Sequence, residues 1–174
     1  MPVGNLEFIK SVSGTSVTSL DVTDCFSADY DVYQINLVQF DRATADFAGI
    51  RLLDSGGTVI TANEYDYAFL NMRSYSTFAE NRATNTSFIN GFAYSQTTAL
   101  DTTTGTVWNI FNPYDSSSYT FTKGQSSVMV DGYGVSSFKA ISVHKSAEQI
   151  TGFQIYTNAV SFNATVKVYG LASN

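Results

Sequence analysis

Charged residues, cysteine and proline are all scarce in this 174-residue chain, and each shortage narrows the class of protein. Only 14% of the residues are charged and another 14% are aromatic, which is the reverse of the composition that keeps a chain disordered. The single cysteine, Cys25, cannot form an internal disulfide, so a packed core has to stabilise the fold. With 2 Pro, few helix-forming residues and many Phe and Tyr, the composition favours β-strands.

Clusters of basic residues and long apolar runs are also missing. The net charge is −6, with 9 Lys and Arg in total. Because nucleic-acid binding needs such residues to displace counterions from phosphates, we expect no nucleic-acid partner. No run approaches the roughly 18 apolar residues of a membrane span, and the first residues lack the basic and apolar regions of a secretory leader. We therefore expect no membrane partner and synthesis in the cytoplasm.

Short apolar-rich runs recur along the chain. In the clearest run, Tyr33, Ile35 and Leu37 alternate with Gln34 and Asn36, which places the two sets on opposite faces of a strand. About ten such runs, spaced by roughly a dozen residues, predict an all-β fold: an antiparallel β-sandwich or jelly roll. Turn-forming residues separate the later runs at 101–105, 112–115 and 131–134.

No linker or internal repeat divides the chain, so the sequence predicts a single β-sandwich domain over residues 1–174. Within it, Asp54–Gly57 lies between apolar runs and predicts a hairpin loop. Residues 65–75 fit a short helix or a strand, because apolar positions three and four apart do not separate the two. The polar residues 77–86 predict a loop.

Candidate catalytic residues are few. His144 is the only histidine, and no Gly-x-Ser-x-Gly turn is present to hold a serine nucleophile, so we expect this histidine to face solvent. Cys25 has an acidic and an aromatic neighbour rather than the positive charge that creates a reactive thiolate. We expect it to be a buried structural residue. One Cys and one His fall short of a zinc site.

Two pairs of acids, Asp29 with Asp31 and Glu64 with Asp66, lie on the same side of extended segments. Such pairs cleave glycosides or ligate calcium, but neither pair stands in an Asp-x-Asp-x-Asp-Gly loop. Acids beside strands commonly mark solvated ends. We therefore predict no catalytic, cofactor-binding or metal-binding residue and no cofactor, while calcium binding stays open.

Three tyrosines, Tyr114, Tyr119 and Tyr133, fall in or near predicted loops. Exposed aromatic rings stack on sugars or fill pockets of a partner, which motivates an alternative function as a carbohydrate- or receptor-binding module. The other interpretation is that these rings belong to the core of the sandwich. A polysaccharide-degrading enzyme is a further alternative, against which the missing histidine partners count.

Segments at both ends of the chain carry a family resemblance. They read LDVTDCFSADYDVYQI at residues 20–35, ITGFQIY at 150–156 and VKVYGL at 166–171. The chain resembles small β-sandwich virion proteins of tailed bacteriophages, especially those of marine and cyanobacterial hosts. In that group a DYDVY-like strand and a final VYGL-like strand bracket a hydroxyl-rich middle. The turn before the last strand departs from the pattern, because Ser161-Phe162-Asn163 stands where glycine is usual.

The resemblance implies a non-enzymatic structural protein on the exterior of a bacteriophage particle, either a capsid decoration or a head or tail fibre accessory. It implies location in the virion after assembly in the host cytoplasm. Expected partners are other capsid or tail proteins and further copies of the chain in a symmetric homo-oligomer such as a trimer. If the chain is instead a receptor-binding module of a tail fibre, a host surface glycan is a further expected partner. The group supplies no catalytic residue to carry over.

Overall fold

Twelve β-strands make up the computed structural model, which describes residues 5–42, 44, 46–95, 105–130 and 132–172. In chain order they are β1 (Leu6–Val17), β2 (Ser19–Val22), β3 (Val32–Arg42), β4 (Asp46–Leu53), β5 (Tyr65–Arg73), β6 (Ala79–Thr86), β7 (Ile89–Ser95), β8 (Gly105–Phe111), β9 (Thr120–Val130), β10 (Gly134–His144), β11 (Gly152–Tyr156) and β12 (Phe162–Leu171). Within those described ranges, the chain forms no helix with the length and apolar character of a membrane span.

The strands form two antiparallel sheets that pack face to face. The larger sheet has eight strands in the order β1-β12-β3-β8-β9-β10-β5-β6, and the smaller has four in the order β2-β11-β4-β7. Strand β7 of the smaller sheet packs across β3, β5, β8, β9 and β10 of the larger one. This architecture confirms the predicted all-β antiparallel sandwich.

Alternating burial explains why these segments are strands. Tyr33, Ile35 and Leu37 of β3 are buried, whereas Gln34 and Asn36 between them are half-buried. The same period of two governs β9, β10 and β12, in which every second side chain enters the space between the sheets. The alternation predicted for β3 is therefore confirmed.

Aromatic rings fill the interior between the sheets. Trp108 of β8 is buried, and its indole N–H donates a hydrogen bond to the backbone carbonyl of Phe92 in β7 at 3.0 Å. Because a buried donor without an acceptor costs about 1–3 kcal/mol, this bond fixes how the two sheets lie on each other. Gly124, the partner of Trp108 in β9, leaves room for the indole, since an added Cβ would come within 2.4 Å of it.

Two predictions from the sequence are wrong: the short helix that was one alternative for residues 65–75, and the loop for residues 77–86. Residues 65–73 form β5, in which Tyr65 and Phe69 are buried; their spacing of four fits a strand as well as a helix. Residues 79–86 form β6, which pairs with β5 alone and is the edge of the larger sheet. An edge strand tolerates polar side chains because much of it faces water.

The hairpin predicted around Asp54–Gly57 is present as a turn, without a full second strand. The Asp54 carboxylate accepts hydrogen bonds from the N–H groups of Gly56 and Thr58, and Gly57 adopts a positive φ of 77°. Beyond the turn only an isolated bridge joins Leu53 to Val59. Of the predicted turns, 112–115 lies between β8 and β9, whereas residues 101–104 and 131 lie outside the described residues.

The segments that carry the family resemblance lie side by side in the fold. Strand β2 pairs with β11 in the smaller sheet, and β3 pairs with β12 in the larger. The ring of Tyr30 lies against Gly170, where an added Cβ would come within 2.5 Å of it. The Tyr33 hydroxyl accepts the backbone N–H of Ser27 at 2.7 Å and donates to the Ser27 carbonyl at 2.9 Å. These motif residues therefore have packing roles.

Gly170→Ala is expected to destabilise the protein by about 1–3 kcal/mol, because the added methyl group displaces the Tyr30 ring. In a Tyr30→Ala background the same change should cost under about 0.5 kcal/mol, since the coupled ring is gone. Urea unfolding of the four proteins measures this cycle. Gly105→Ala is the matched control, because no atom lies within 4 Å of its added Cβ. Equal losses at Gly105 and Gly170 would contradict the packing role.

Candidate functional site

One face of the larger sheet points away from the smaller sheet, and we call it the outer face. In β9, Phe121 and Met129 are exposed on this face while Thr122 and Val128 are buried on the other. Most of the exposed large hydrophobic side chains lie on it: Leu6, Phe8, Leu70, Val107, Phe121, Met129, Val135, Ile141 and Leu171. Exposed apolar side chains gathered on one face of a sheet mark a candidate interaction site.

A trough crosses the outer face over β8, β9, β10, β5 and β6. Its volume is about 800 Å³, and its lining is mainly apolar. Cross-strand pairing builds it, because Phe121 pairs with Phe111 on one side and Val143 on the other, while Ile141 pairs with Ala68. The sheet's own ladder therefore fixes the apolar side chains in one surface rather than leaving them on mobile loops.

Two cations flank the trough without a carboxylate partner. The Lys123 ammonium group lies 5.2 Å from the centre of the Phe111 ring, and Arg82 lines the side formed by β6. Among the described residues, neither cation makes an ion pair. Both are exposed, so both are available to a ligand in the trough.

The carboxylate that lines the trough, Asp66, is already engaged. It lies 2.8 Å from the Lys145 ammonium group and accepts the backbone N–H of Asn85 at 2.9 Å. The Lys145 bond, followed by the Asn85 bond, holds the pKa of the Asp66 carboxyl below its usual value, because both favour the charged form. The trough therefore presents unpaired positive charge in a protein whose net charge is −6.

His144 is fully buried at the end of β10, so its expected solvent-facing position is wrong. The alternation of β10 turns this side chain inward, and the Tyr65 ring lies 4.9 Å from the imidazole. Its Nε2 is 3.2 Å from a carboxylate oxygen of Glu64 and 3.6 Å from one of Glu148. Sequence reasoning missed Glu148, because it lies in an irregular segment that no periodic pattern links to β5.

The donor atoms of Glu64, His144 and Glu148 all lie within 4.8 Å of one another, a spacing that a divalent cation can bridge. A metal on Nε2 would leave the ring proton on Nδ1, which is buried and has no hydrogen-bond partner. Metal-ligating histidines almost always donate that second N–H to an acceptor, so the donor set fits a metal poorly. The hydrogen bond between the His144 Nε2 and the Glu64 carboxylate instead ties β10 to the start of β5.

Within each of the two acid pairs identified in the sequence, the two residues contact different groups. Glu64 contacts the buried histidine, while Asp66 belongs to the trough. Asp29 accepts a hydrogen bond from the Ser27 hydroxyl at 2.8 Å, and the Asp31 backbone carbonyl accepts the N–H of Asn112 at 2.7 Å. Neither pair therefore presents two free carboxylates to a common substrate.

The three loop tyrosines do not form one surface. Tyr114 and Tyr119 lie in the connection before β9, and Tyr133 follows its last residue. The eleven residues of β9 separate the two ends by about 35 Å. Tyr133 instead packs near Tyr75, with ring centroids 5.4 Å apart. The recognition surface that these tyrosines motivated is therefore divided between opposite ends of the sandwich.

Cys25 is buried, as predicted. Desolvation raises the pKa of its thiol to about 12, and the opposing effect of Lys10 is smaller. The thiol is therefore protonated at neutral pH and lacks the thiolate form that reacts with electrophiles.

No protein-family model matches the chain, and a search of the curated proteins finds no match. The function has to be inferred from the residues themselves. Of the surfaces described, the outer face and its trough are the candidate site, because they combine exposed apolar area with unpaired charge.

Asp66→Asn is expected to flatten the acid dependence of stability. Since the folded state lowers the pKa of Asp66, its contribution is complete above the usual value of about 3.8 and is lost as the pH falls through the folded value. Urea unfolding at a series of acidic pH values measures the effect. Glu80→Gln, on the exposed edge strand, is the control and should keep the wild-type profile. A wild-type profile for Asp66→Asn would show that the Lys145 and Asn85 contacts do not lower the pKa of Asp66.

Zinc chloride in excess is expected to leave the thermal unfolding midpoint unchanged, because His144 lacks an acceptor for its second ring N–H. Calorimetry with zinc and with EDTA makes the comparison. A rise in the midpoint that disappears in Glu148→Gln would show that the cluster binds metal, since a ligand of the folded state stabilises it by mass action.

Proposed function

We propose that the protein is a non-enzymatic structural protein on the exterior of a tailed-phage particle, attached through the outer face of its larger sheet. The observation that carries the proposal is the concentration of exposed hydrophobic side chains on that face. Covering apolar surface releases roughly 25 cal/mol per Å², so a broad apolar face favours assembly with a partner.

The sheet edges favour attachment through the face rather than through strand pairing. The edge strand β6 reads AENRATNT and exposes charged and amide side chains. The opposite edge strand, β1, has irregular pairing between Phe8 and Lys10 and again between Gly14 and Val17. Charges and bulges are devices that discourage edge-to-edge pairing, so the protein protects its edges while leaving its outer face apolar.

The resemblance of both chain ends to small virion proteins supports the class of function. Residues of the motifs that carry the resemblance pack against one another, as Tyr30 does against Gly170. Packing is the role expected of motifs in a structural protein. All twelve strands belong to the two sheets. Such a module suits a docked capsid decoration better than the shaft of a fibre, and we propose capsid decoration in a symmetric homo-oligomer.

Particles assembled without this protein should lose density at its site in electron micrographs and regain it when purified protein is added. Ile141→Asp is expected to weaken rebinding about tenfold or more, because it places a carboxylate on the apolar face. Phe78→Asp is the matched control, since Phe78 and Ile141 are both 63% exposed but Phe78 lies in the loop before β6.

Unchanged particles in the absence of the protein would contradict the proposed function. Equal rebinding of the Ile141→Asp and Phe78→Asp variants would contradict attachment through the outer face, while leaving the virion location intact.

A further inference from the structure

A second depression adjoins the trough along β5, β6 and β10. This smaller groove shares Ala68, Arg82 and Ile141 with it and extends to Leu70, Glu80 and Lys139. The combined depression is open and is lined by short stretches of β5, β6, β9 and β10. This shape suits an extended segment laid across the sheet, which can place several side chains in contact with the floor.

The depression carries charge of both signs, with Lys123, Arg82 and Lys139 against Asp66 and Glu80. Lys123 stands above Phe111 on one side and Arg82 on the other, and neither has a carboxylate partner among the described residues. The two carboxylates of the depression do not pair with them: Lys145 and Asn85 already occupy the Asp66 carboxylate, and Glu80 forms no ion pair among the described residues. A carboxylate brought into the trough would therefore find two free donors, and hydrogen bonds between ionised groups are the stronger kind.

We propose that the trough binds an apolar, carboxylate-bearing segment of a neighbouring virion protein. Hydrophobic side chains of that segment pack on Phe121 and Ile141, and its carboxylates pair with Lys123 and Arg82. The proposal rests on the virion function proposed above and specifies the chemistry of the docking partner. Because the protein as a whole carries a net charge of −6, local attraction at the trough also directs an acidic segment to this place rather than elsewhere.

A second copy of the chain is a poorer occupant. A two-fold contact between identical patches would bring the trough of one copy against that of the other. Lys123 and Arg82 would then face the same unpaired cations, and like charges across an interface disfavour binding. The charge pattern therefore favours a different protein with acidic residues.

Charge reversal tests the partner's chemistry on particles assembled without the protein. Lys123→Glu and Arg82→Glu are each expected to weaken rebinding about tenfold, and the weakening should diminish as salt is raised. Neutral Lys123→Gln and Arg82→Gln should fall between these and the wild type. Lys10→Glu is the matched control, because the Lys10 ammonium lies on the Thr23 carbonyl, away from the outer face, and this variant should rebind within about twofold of wild type.

Circular dichroism and thermal unfolding confirm that each variant is folded, which is expected because Lys123 and Arg82 are exposed. If the wild type rebinds and Ile141→Asp does not, but both charge reversals rebind normally, the acidic partner is overturned while the virion function stands. If the charge reversals change the mass of the free protein instead, a second copy occupies the trough and the proposal fails. If the wild type binds no particle, both proposals fail.

Discussion

An eight-stranded sheet has two broad faces, and in this protein a four-stranded sheet packs on only one of them. Strand β7 crosses the buried face, and the Trp108 indole bond to Phe92 fixes the contact. Within the described residues, the other face has no protein layer over it. The outer face, its trough and the proposed docking role all follow from this difference in size between the sheets.

The distribution of polar side chains in β9 and β10 strengthens that interpretation. Thr122 and Ser142 face inward and share a hydrogen bond between their hydroxyls, while Phe121 and Ile141 face outward. A sheet selected for stability alone would place the larger apolar side chains inside, where their burial contributes most. Thr120 and Ser126 of β9 also face inward, and their hydroxyls have no hydrogen-bond partner among the described residues. The two strands therefore give up core burial while their larger apolar side chains stay exposed on the outer face.

The inward hydroxyls and outward apolar side chains of β9 and β10 also explain which parts of the fold could be predicted from the sequence. The alternation of Tyr33, Ile35 and Leu37 identified β3 because its apolar residues point inward. In β9 and β10 the period of two was visible, but it could not reveal which face was covered. The polar edge strand β6 gave no strand signal, since its partner β5 and the surrounding water determine its structure.

The sites depended on long-range geometry that no local pattern contains. His144 and Glu64 are 80 residues apart in the chain, and Lys123 reaches the trough beside Arg82 only through the order of the strands. The packing of Tyr30 on Gly170 joins two motifs whose sequence gave no sign that they touch. Residue types therefore indicated the fold class, whereas strand order created the candidate site.

The most direct test of the central claim is oxidative footprinting of the protein free in solution and bound to the phage particle. The proposed attachment predicts that binding protects Phe121, Ile141 and Met129 on the outer face. Phe78 and Tyr119, which are exposed in loops, should stay as reactive as in the free protein. Protection of these loop residues with no change on the outer face would contradict the account.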